Sequence, residues 1–431
     1  MNNRGAYCIL ATHDRFCGHL RALPMCILIS LLILGCNEKS ESDQRQPKLL
    51  WQAELPAIWP YMTYSSAVPD PSNQRVIVTG LGTFWRKEGK VFQNIALLIY
   101  NSQNGALYKK IVTQIELGVW PRLDNAIQRS ELWVRGEYSR QVISLLSADD
   151  RIIVLAPYLV PRVYQYDVNT EKCVAQHSIQ PWLTLEQESY RSPELLVNPR
   201  TGMVYYFLPV GRQRFNDATA YLYDLVEFSL HNPEQRGKVR FSLRAFYVNP
   251  IPCSPYDAHL AWVHVLDKYY AGAYNSDRKL AEIVCKGEAD QIKPIGIFDT
   301  IYDPASGKLL QLEQDKRTDR PILVEADFCQ RALKTLWRDI EAPSRRRDEI
   351  YGITPSRKLI FTCRHRSDDD DMFEIVVLDL KTLAIEYRWS ERTIFNYGLS
   401  TSHSGEYVFY TCRDPKARNH LIKCYQLTKS R

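Results

Sequence analysis

The sequence predicts an all-β fold made of repeated four-stranded units, a β-propeller of seven blades closed by a strand from the N-terminal side. Three observations predict it. The composition suits strands, two turn patterns alternate along the chain from residue 48, and the C-terminal unit is one strand short.

Composition comes first. Tyr (26) far outnumbers Met (5), and aromatics make up 11% of the 431 residues, which favours pleated strands. Charged residues are 24% and apolar residues 45%, a globular balance with enough chain for a large core. The formal charge is +6, of which residues 1–35 carry Arg4, Arg15 and Arg21 against Asp14, leaving about +4. An excess that small and scattered argues against a nucleic-acid partner.

The first turn pattern is an apolar run, a tight polar turn and a second apolar run. Leu195-Leu196-Val197-Asn198-Pro199-Arg200-Thr201-Gly202-Met203-Val204-Tyr205 is one copy. Others surround Asp70, Ser147, Asp303, Thr354 and Ser402, with a weak copy at Leu266–Tyr270. Pro, Asp, Ser and Gly supply the turn dihedrals. In the second pattern a strand ends in a polar residue, as in Val376-Val377-Leu378-Asp379-Leu380-Lys381-Thr382-Leu383-Ala384-Ile385. It recurs at Asn101 and Asp167, with weaker copies centred on Glu227, Lys286-Gly287, Asp327 and Gln426. Phe361-Thr362-Cys363-Arg364 and Tyr410-Thr411-Cys412-Arg413 occupy matching places, 49 residues apart.

Counting both patterns gives about seven units at a mean spacing of roughly 55 residues, two hairpins to a unit. A four-stranded sheet that buries both faces needs neighbours on each side, which a ring supplies. Residues 396–431 hold only three strands, so Pro47–Leu55 is expected to supply the fourth and close the ring. Over residues 48–431 these motifs resemble the YVTN-type, TolB-like and WD-repeat-like bacterial propellers. That resemblance implies a superfold and not one activity.

The N-terminal region has its own logic. Arg15 and Arg21 precede an apolar run of about 12 residues after Pro24, shorter than the roughly 20 that span a bilayer. Ile33-Leu34-Gly35-Cys36 resembles a bacterial lipobox. The resemblance implies cleavage before Cys36, lipidation of its thiol and membrane anchoring, and Asn37 leans toward the outer membrane. The expected organisation is a signal peptide over 1–35, a polar tether over 36–47 and the propeller over 48–431. Soluble export and an uncleaved or cytosolic chain stay open as alternatives.

Motifs for chemistry are sparse. Gly80-Leu81-Gly82 lacks the third glycine of a dinucleotide loop. Ser367-Asp368-Asp369-Asp370-Asp371 lacks the spaced ligands of a calcium loop and reads as a solvated hairpin tip. His259 and His264, five apart, fall on opposite faces of a strand, so a shared metal is not expected. Arg345-Arg346-Arg347 is offset by Asp348-Glu349. Eight cysteines follow from Cys36 onward, and Cys412 with Cys424, on adjacent strands, form the pair best placed for a disulfide. No cofactor or metal is expected.

Aromatic and basic residues gather where each unit begins: Trp59, Tyr61 and Tyr64, then Arg122 and Arg140, Tyr190 and Arg191, and Tyr256. In a propeller such segments converge on one face, and these types are enriched at recognition surfaces. They serve equally well as rim packing. The function expected is a membrane-tethered, exported binding or scaffold propeller for an envelope protein or glycan. The alternative is a propeller enzyme, a lactonase-like hydrolase or quinoprotein-like oxidoreductase.

Overall fold

The apolar runs become 29 strands among the described residues of the computed structural model. These residues are 45–118, 142–156, 162–178, 195–251, 259–288, 300–326, 334–338, 347–366 and 371–427, apart from one or two positions at a time inside those ranges. β1 (Lys48–Leu55) comes first and joins the last sheet. The first sheet holds β2 (Thr63–Tyr64), β3 (Val68–Pro69), β4 (Arg75–Lys87), β5 (Lys90–Asn101) and β6 (Leu107–Gly118), in the order β2-β4-β5-β6 with β3 also on β4. The second holds β7 (Ile143–Leu146), β8 (Arg151–Ala156), β9 (Arg162–Asp167) and β10 (Cys173–Ser178). The third holds β11 (Leu195–Asn198), β12 (Met203–Phe215), β13 (Ala218–Ser229) and β14 (Lys238–Ala245). The fourth holds β15 (Tyr247–Ile251), β16 (His259–Val265), β17 (Lys268–Asn275) and β18 (Leu280–Glu288). The fifth holds β19 (Thr300–Asp303), β20 (Lys308–Gln314), β21 (Pro321–Ala326) and β22 (Lys334–Arg338). The sixth holds β23 (Arg347–Ile353), β24 (Lys358–Arg366), β25 (Asp371–Asp379) and β26 (Ile385–Thr393). The seventh has the order β1-β29-β28-β27, from β27 (Phe395–Thr401), β28 (Tyr407–Arg413) and β29 (His420–Gln426). Every pairing within these sheets is antiparallel.

Strand geometry explains the packing. Successive side chains point to opposite faces, so a strand buried on both sides reads as an unbroken apolar run. In β5, Ile95, Leu97 and Ile99 pack toward Ile152, Val154 and Tyr164 of the second sheet. The alternate residues Ala96, Leu98 and Tyr100 pack toward Trp51, Phe409 and Ile422 of the seventh. Further clusters join the second sheet to the third, the third to the fourth, the fourth to the fifth, the fifth to the sixth, and the sixth to the seventh. Four-stranded sheets stacked face to face in chain order are β-propeller architecture.

The turns follow one chemical rule. A side-chain oxygen of Asn or Asp at the strand end accepts backbone N–H groups two or three residues on, and the residue at the fifth position is left-handed. Asn101, Asp167, Asn198, Asn275, Asp303, Asp379 and Asp414 open such turns. Gly105, Glu171, Gly202, Lys279, Gly307, Leu383 and Arg418 take the positive φ. Gly105 has a second constraint, because a Cβ there would lie 2.5 Å from the Trp51 ring. The two hairpins at one end of a sheet are also tied together. Ser102 N donates to Gln74 O at 2.9 Å, Val168 N to Asp150 O at 3.0 Å and Leu380 N to Arg357 O at 2.9 Å.

Two sequence expectations need correction. Cys412 and Cys424 are free thiols, not a disulfide. Their register is three residues off, Cys412 opposite Leu421 and Cys424 opposite Phe409, so they face opposite sides of the sheet. Lys286-Gly287 is not a turn but lies within β18, opposite Tyr270 and Tyr269. The turn is at Asn275, which accepts from Asp277 N at 2.9 Å and Arg278 N at 3.0 Å.

Trp51 carries the contact between β1 and the first sheet. Its indole N–H donates to Ser102 O at 2.7 Å and its ring lies 6.3 Å from Phe409. Trp51→Ala is expected to lower stability by about 3–5 kcal/mol, the cost of emptying a buried aromatic site. Deleting Lys48–Leu55 should cost more, and should expose the β29 edge to aggregation. Urea unfolding measures both, and a deletion variant with the wild-type midpoint would show that β1 does not support the last sheet.

Candidate functional site: two projecting arms

Among the described residues, most paired stretches between the second and third strands of a sheet are short. β8 and β9 pair over six positions, β20 and β21 over six, and β28 and β29 over seven. Two are long. β4 and β5 run from Arg75 opposite Asn101 to Lys87 opposite Lys90, and β12 and β13 from Met203 opposite Ser229 to Phe215 opposite Ala218. Against six to nine pairs elsewhere, three to six extra residues make each arm roughly 10–20 Å longer at 3.3–3.4 Å per residue. Each arm carries a β-bulge on its outgoing strand, between Leu81 and Phe84 in one and Pro209 and Gly211 in the other. Bulges bend and re-aim a strand where it leaves the body of a sheet.

The arms are aromatic and basic. Trp85 stacks on Phe92 with centroids 4.6 Å apart and planes 16° apart. The Arg212 guanidinium lies 5.8 Å from the Tyr221 ring centroid, and Tyr221 lies 6.1 Å from Tyr223. Phe215 meets Phe246 edge-on at 6.2 Å. Lys87, Lys90, Arg212 and Arg214 are exposed. At the base of the first arm, half-buried Trp59 lies flat on Gly82, where a Cβ would be 2.7 Å from the indole. Any side chain at Gly82 would displace that ring.

Connectivity sets which end is which. Gly118 pairs with Val91 and Ser178 with Arg162, so the chain leaves the first two sheets at the arm end. Trp59 stands at that end too. Of the other residues singled out from the sequence, Tyr64 is only 1% exposed, and its hydroxyl donates to Pro56 O at 2.6 Å. It is a core residue, not a surface one. Tyr61, Arg122, Arg140, Tyr190, Arg191 and Tyr256 lie outside the described residues, as does Cys36. Ile251 and His259, which flank the Tyr256 segment, are at the opposite end of their sheet, since His259 faces Asn275 at the start of a turn. The arm residues Trp85, Phe92, Arg212 and Tyr221 were missed by sequence reasoning. Their signal was available as two paired strands of 12 or 13 residues where the other sheets use six to nine.

Buried charges serve another purpose, joining sheet to sheet. Glu116 of β6 meets Arg162 of β9 at 2.9 Å, and the Tyr164 hydroxyl donates to Glu116 O at 2.6 Å. Glu391 of β26 meets Lys423 of β29 at 2.6 Å and accepts from the Tyr425 hydroxyl. A basic-x-Tyr pair on the third strand thus clasps a glutamate on the outer strand of the preceding sheet, at two boundaries. Glu227 repeats the idea, bound by Arg240 at 2.8 Å, Lys279 at 2.9 Å and the Tyr274 hydroxyl at 2.8 Å. Burial pushes the Glu227 carboxyl up but is outweighed by those three donors, so it lies below the ordinary carboxylate range. Burial dominates at Glu391 and raises it despite Lys423. Among the described residues no three His, Cys, Asp or Glu side chains converge as a metal site. Ser367–Asp370 lie outside them, and Asp371 begins β25.

Comparison with known proteins adds the following. No family model and no curated protein sequence matches the chain. In fold it is similar to an oligogalacturonate lyase in complex with manganese, with 12% identity and a TM-score of 0.47 over 90% of this chain and 96% of that one. It is similar to TolB from Acinetobacter baumannii at 10% identity and a TM-score of 0.33, over 80% and 78%. The WD40 repeats of RRP9 align at 9% identity and a TM-score of 0.45, over 89% and 100%. Those proteins differ in what they do, and nothing about activity passes to this chain.

Two buried histidines are expected to make the fold acid-sensitive. The Trp262 indole N–H donates to His264 Nδ1 at 3.0 Å, and His264 stacks on Tyr270 at 4.8 Å. Burial lowers the His264 pKa to about 4, and burial with the nearby Arg413 charge lowers His420 to about 4. The unfolded chain takes these protons near 6.5, so the stabilising neutral forms are complete above that pH and their contribution is lost as pH falls toward 4. Each histidine should cost up to about 3 kcal/mol over that window. His264→Gln and His420→Gln together should flatten the fall in urea midpoint between those pH values. An unchanged slope would place the acid sensitivity elsewhere.

Proposed function

We propose that the chain is an exported binding scaffold, tethered to an envelope membrane through lipidated Cys36, that holds an envelope protein or glycan at the arm end of a closed seven-bladed propeller. The observation that carries the reading is the pair of projecting arms, because Trp85, Phe92, Arg212 and Tyr221 belong to none of the apolar clusters that join the sheets. Tyr, Trp and Arg supply rigid contact area and charge-assisted hydrogen bonds. Ring closure is supported by β1 pairing with β29 and by the Trp51 cluster that joins the seventh sheet to the first. Lys48, where the tether would join, pairs with Gln426 at the turn end, opposite the arms.

Two experiments test the two halves of the proposal. Cys36→Ser should abolish lipid labelling and leave precursor uncleaved; unchanged processing and membrane fractionation would exclude the lipid anchor. For binding, both arms can be cut back by joining Leu81 to Ile95 and Leu208 to Asp224 through Asn-Gly turns. The shortened protein should keep a cooperative melt and lose its envelope partner in crosslinking. Retention of the same crosslinked partner would move the binding surface off the arms.

A further inference from the structure

The end of the sheets opposite the arms carries a second surface, and the inference drawn from it rests on the lipid anchor proposed above. There the outer strands of three successive sheets, the seventh, first and second, begin with large side chains turned to solvent. Leu49 of β1, Leu107 and Tyr108 of β6 and Val174 of β10 are each about half exposed. Each stands within the first two positions of its strand. Polar contacts hold these sheet ends together. His403 N donates to Asn73 Oδ1 at 2.8 Å between the seventh sheet and the first, and Lys109 meets Glu171 at 2.9 Å between the first and the second. The turns that lead into β6 and β10 lie wholly within the described residues. Single exposed aliphatic side chains are ordinary, but the same place on successive sheets makes an apolar rim.

Charge and attachment say what covers it. Over 48–49, 101–110 and 167–174 the lysines are Lys48, Lys109, Lys110 and Lys172, against the carboxylates Asp167 and Glu171. Lys48, Lys110 and Lys172 are exposed. Apolar side chains among lysines suit the boundary of an anionic bilayer, where the apolar groups enter and the ammonium groups stay at the phosphates. Attachment points the same way. The chain joins the sheets at Arg45, which bridges Tyr387 near the turn end of β26, and β1 begins three residues later at Lys48. Arg45 is nine residues from Cys36, a span of at most about 32 Å when fully extended. A lipid on Cys36 therefore keeps this end of the sheets close to the bilayer. We propose that the rim of β1, β6 and β10 docks on the anionic membrane surface that holds the anchor. Leu49, Leu107, Tyr108 and Val174 enter the headgroup layer, and Lys48, Lys110 and Lys172 meet the lipid phosphates.

Exposed Cys173, next to Val174, reports on the rim. The full chain is added from detergent to preformed vesicles of phosphatidylcholine, alone or mixed with phosphatidylglycerol. A membrane-impermeant maleimide is then applied, and the Cys173 adduct is followed by mass spectrometry. Cys173 should react about fivefold more slowly on the phosphatidylglycerol vesicles, and the difference should shrink as salt rises from about 0.05 M to about 0.5 M. Leu107→Glu with Tyr108→Glu, and Lys48→Glu with Lys110→Glu, should each restore the fast reaction. Neither pair should move the melting midpoint, since these side chains are exposed. Equal reaction on the two lipids, unchanged protection in both variants, or protection that rises with the protein-to-lipid ratio, as a second copy on the rim would give, overturns the proposal. If Cys36 carries lipid and Cys173 reacts equally on both vesicles, the anchor stands and the docked rim falls. If Cys36 carries no lipid and anionic vesicles still shield Cys173, the docked rim stands and the anchor falls.

Discussion

Trp51 stands where the first and last strands of the described residues meet. It belongs to β1, paired with β29 at the C-terminal end, and its indole N–H bonds to Ser102 of the first sheet. A stack of two-faced sheets has a costly problem at its ends, where one apolar face has no neighbour. Here the first and seventh sheets share the cluster of Trp51, Leu98, Tyr100, Phe409 and Ile422. Burial of that cluster joins the seventh sheet to the first.

Polar links reinforce the apolar stack near the turns and between outer strands. Near the turn end, Arg75 reaches Asp150 at 2.5 Å, Arg357 reaches Asp303 at 2.9 Å, and His403 N donates to Asn73 Oδ1 at 2.8 Å. Each joins successive sheets. Farther out, the Glu116, Glu227 and Glu391 clasps do the same. Such pairs add direction more than net energy, since desolvation offsets much of their attraction. Sheets that slid or rotated would leave Asp303, Glu227 and Glu391 buried and unpaired, a heavy cost.

That bracing also fixes the direction in which the arms leave their sheets. A hairpin anchored in a braced sheet can project without losing orientation, and the bulges at Gly82-Thr83 and Val210 set where it points. Trp59, packed on Gly82, braces the first arm at its base. Preorganised aromatic and cationic groups bind with less ordering entropy than flexible ones.

The sequence by itself determined the strand class, the turn positions and the spare strand at the N-terminal side. These rest on local physics: alternation along β5 and β25, Asx chemistry at Asn101 and Asp379, and a last unit that ended at Gln426 without an outer strand. Where the local signal was weak it misled, as at Lys286-Gly287, because a Lys-Gly pair inside a strand looks like a turn until its partner strand is known. Tertiary structure decided everything that depends on faces and on ends. Cys412 and Cys424 looked adjacent but lie on opposite faces, a matter of a three-residue register. Tyr64 looked like a rim aromatic but fills the core, because Pro56 and His420 cover it. The Glu391–Lys423, Glu116–Tyr164 and Glu227–Lys279 contacts join residues 32, 48 and 52 positions apart, and stacking brings them together. The arms are long in the sequence too, but that their tips are a surface follows from how far the neighbouring hairpins fall short of them.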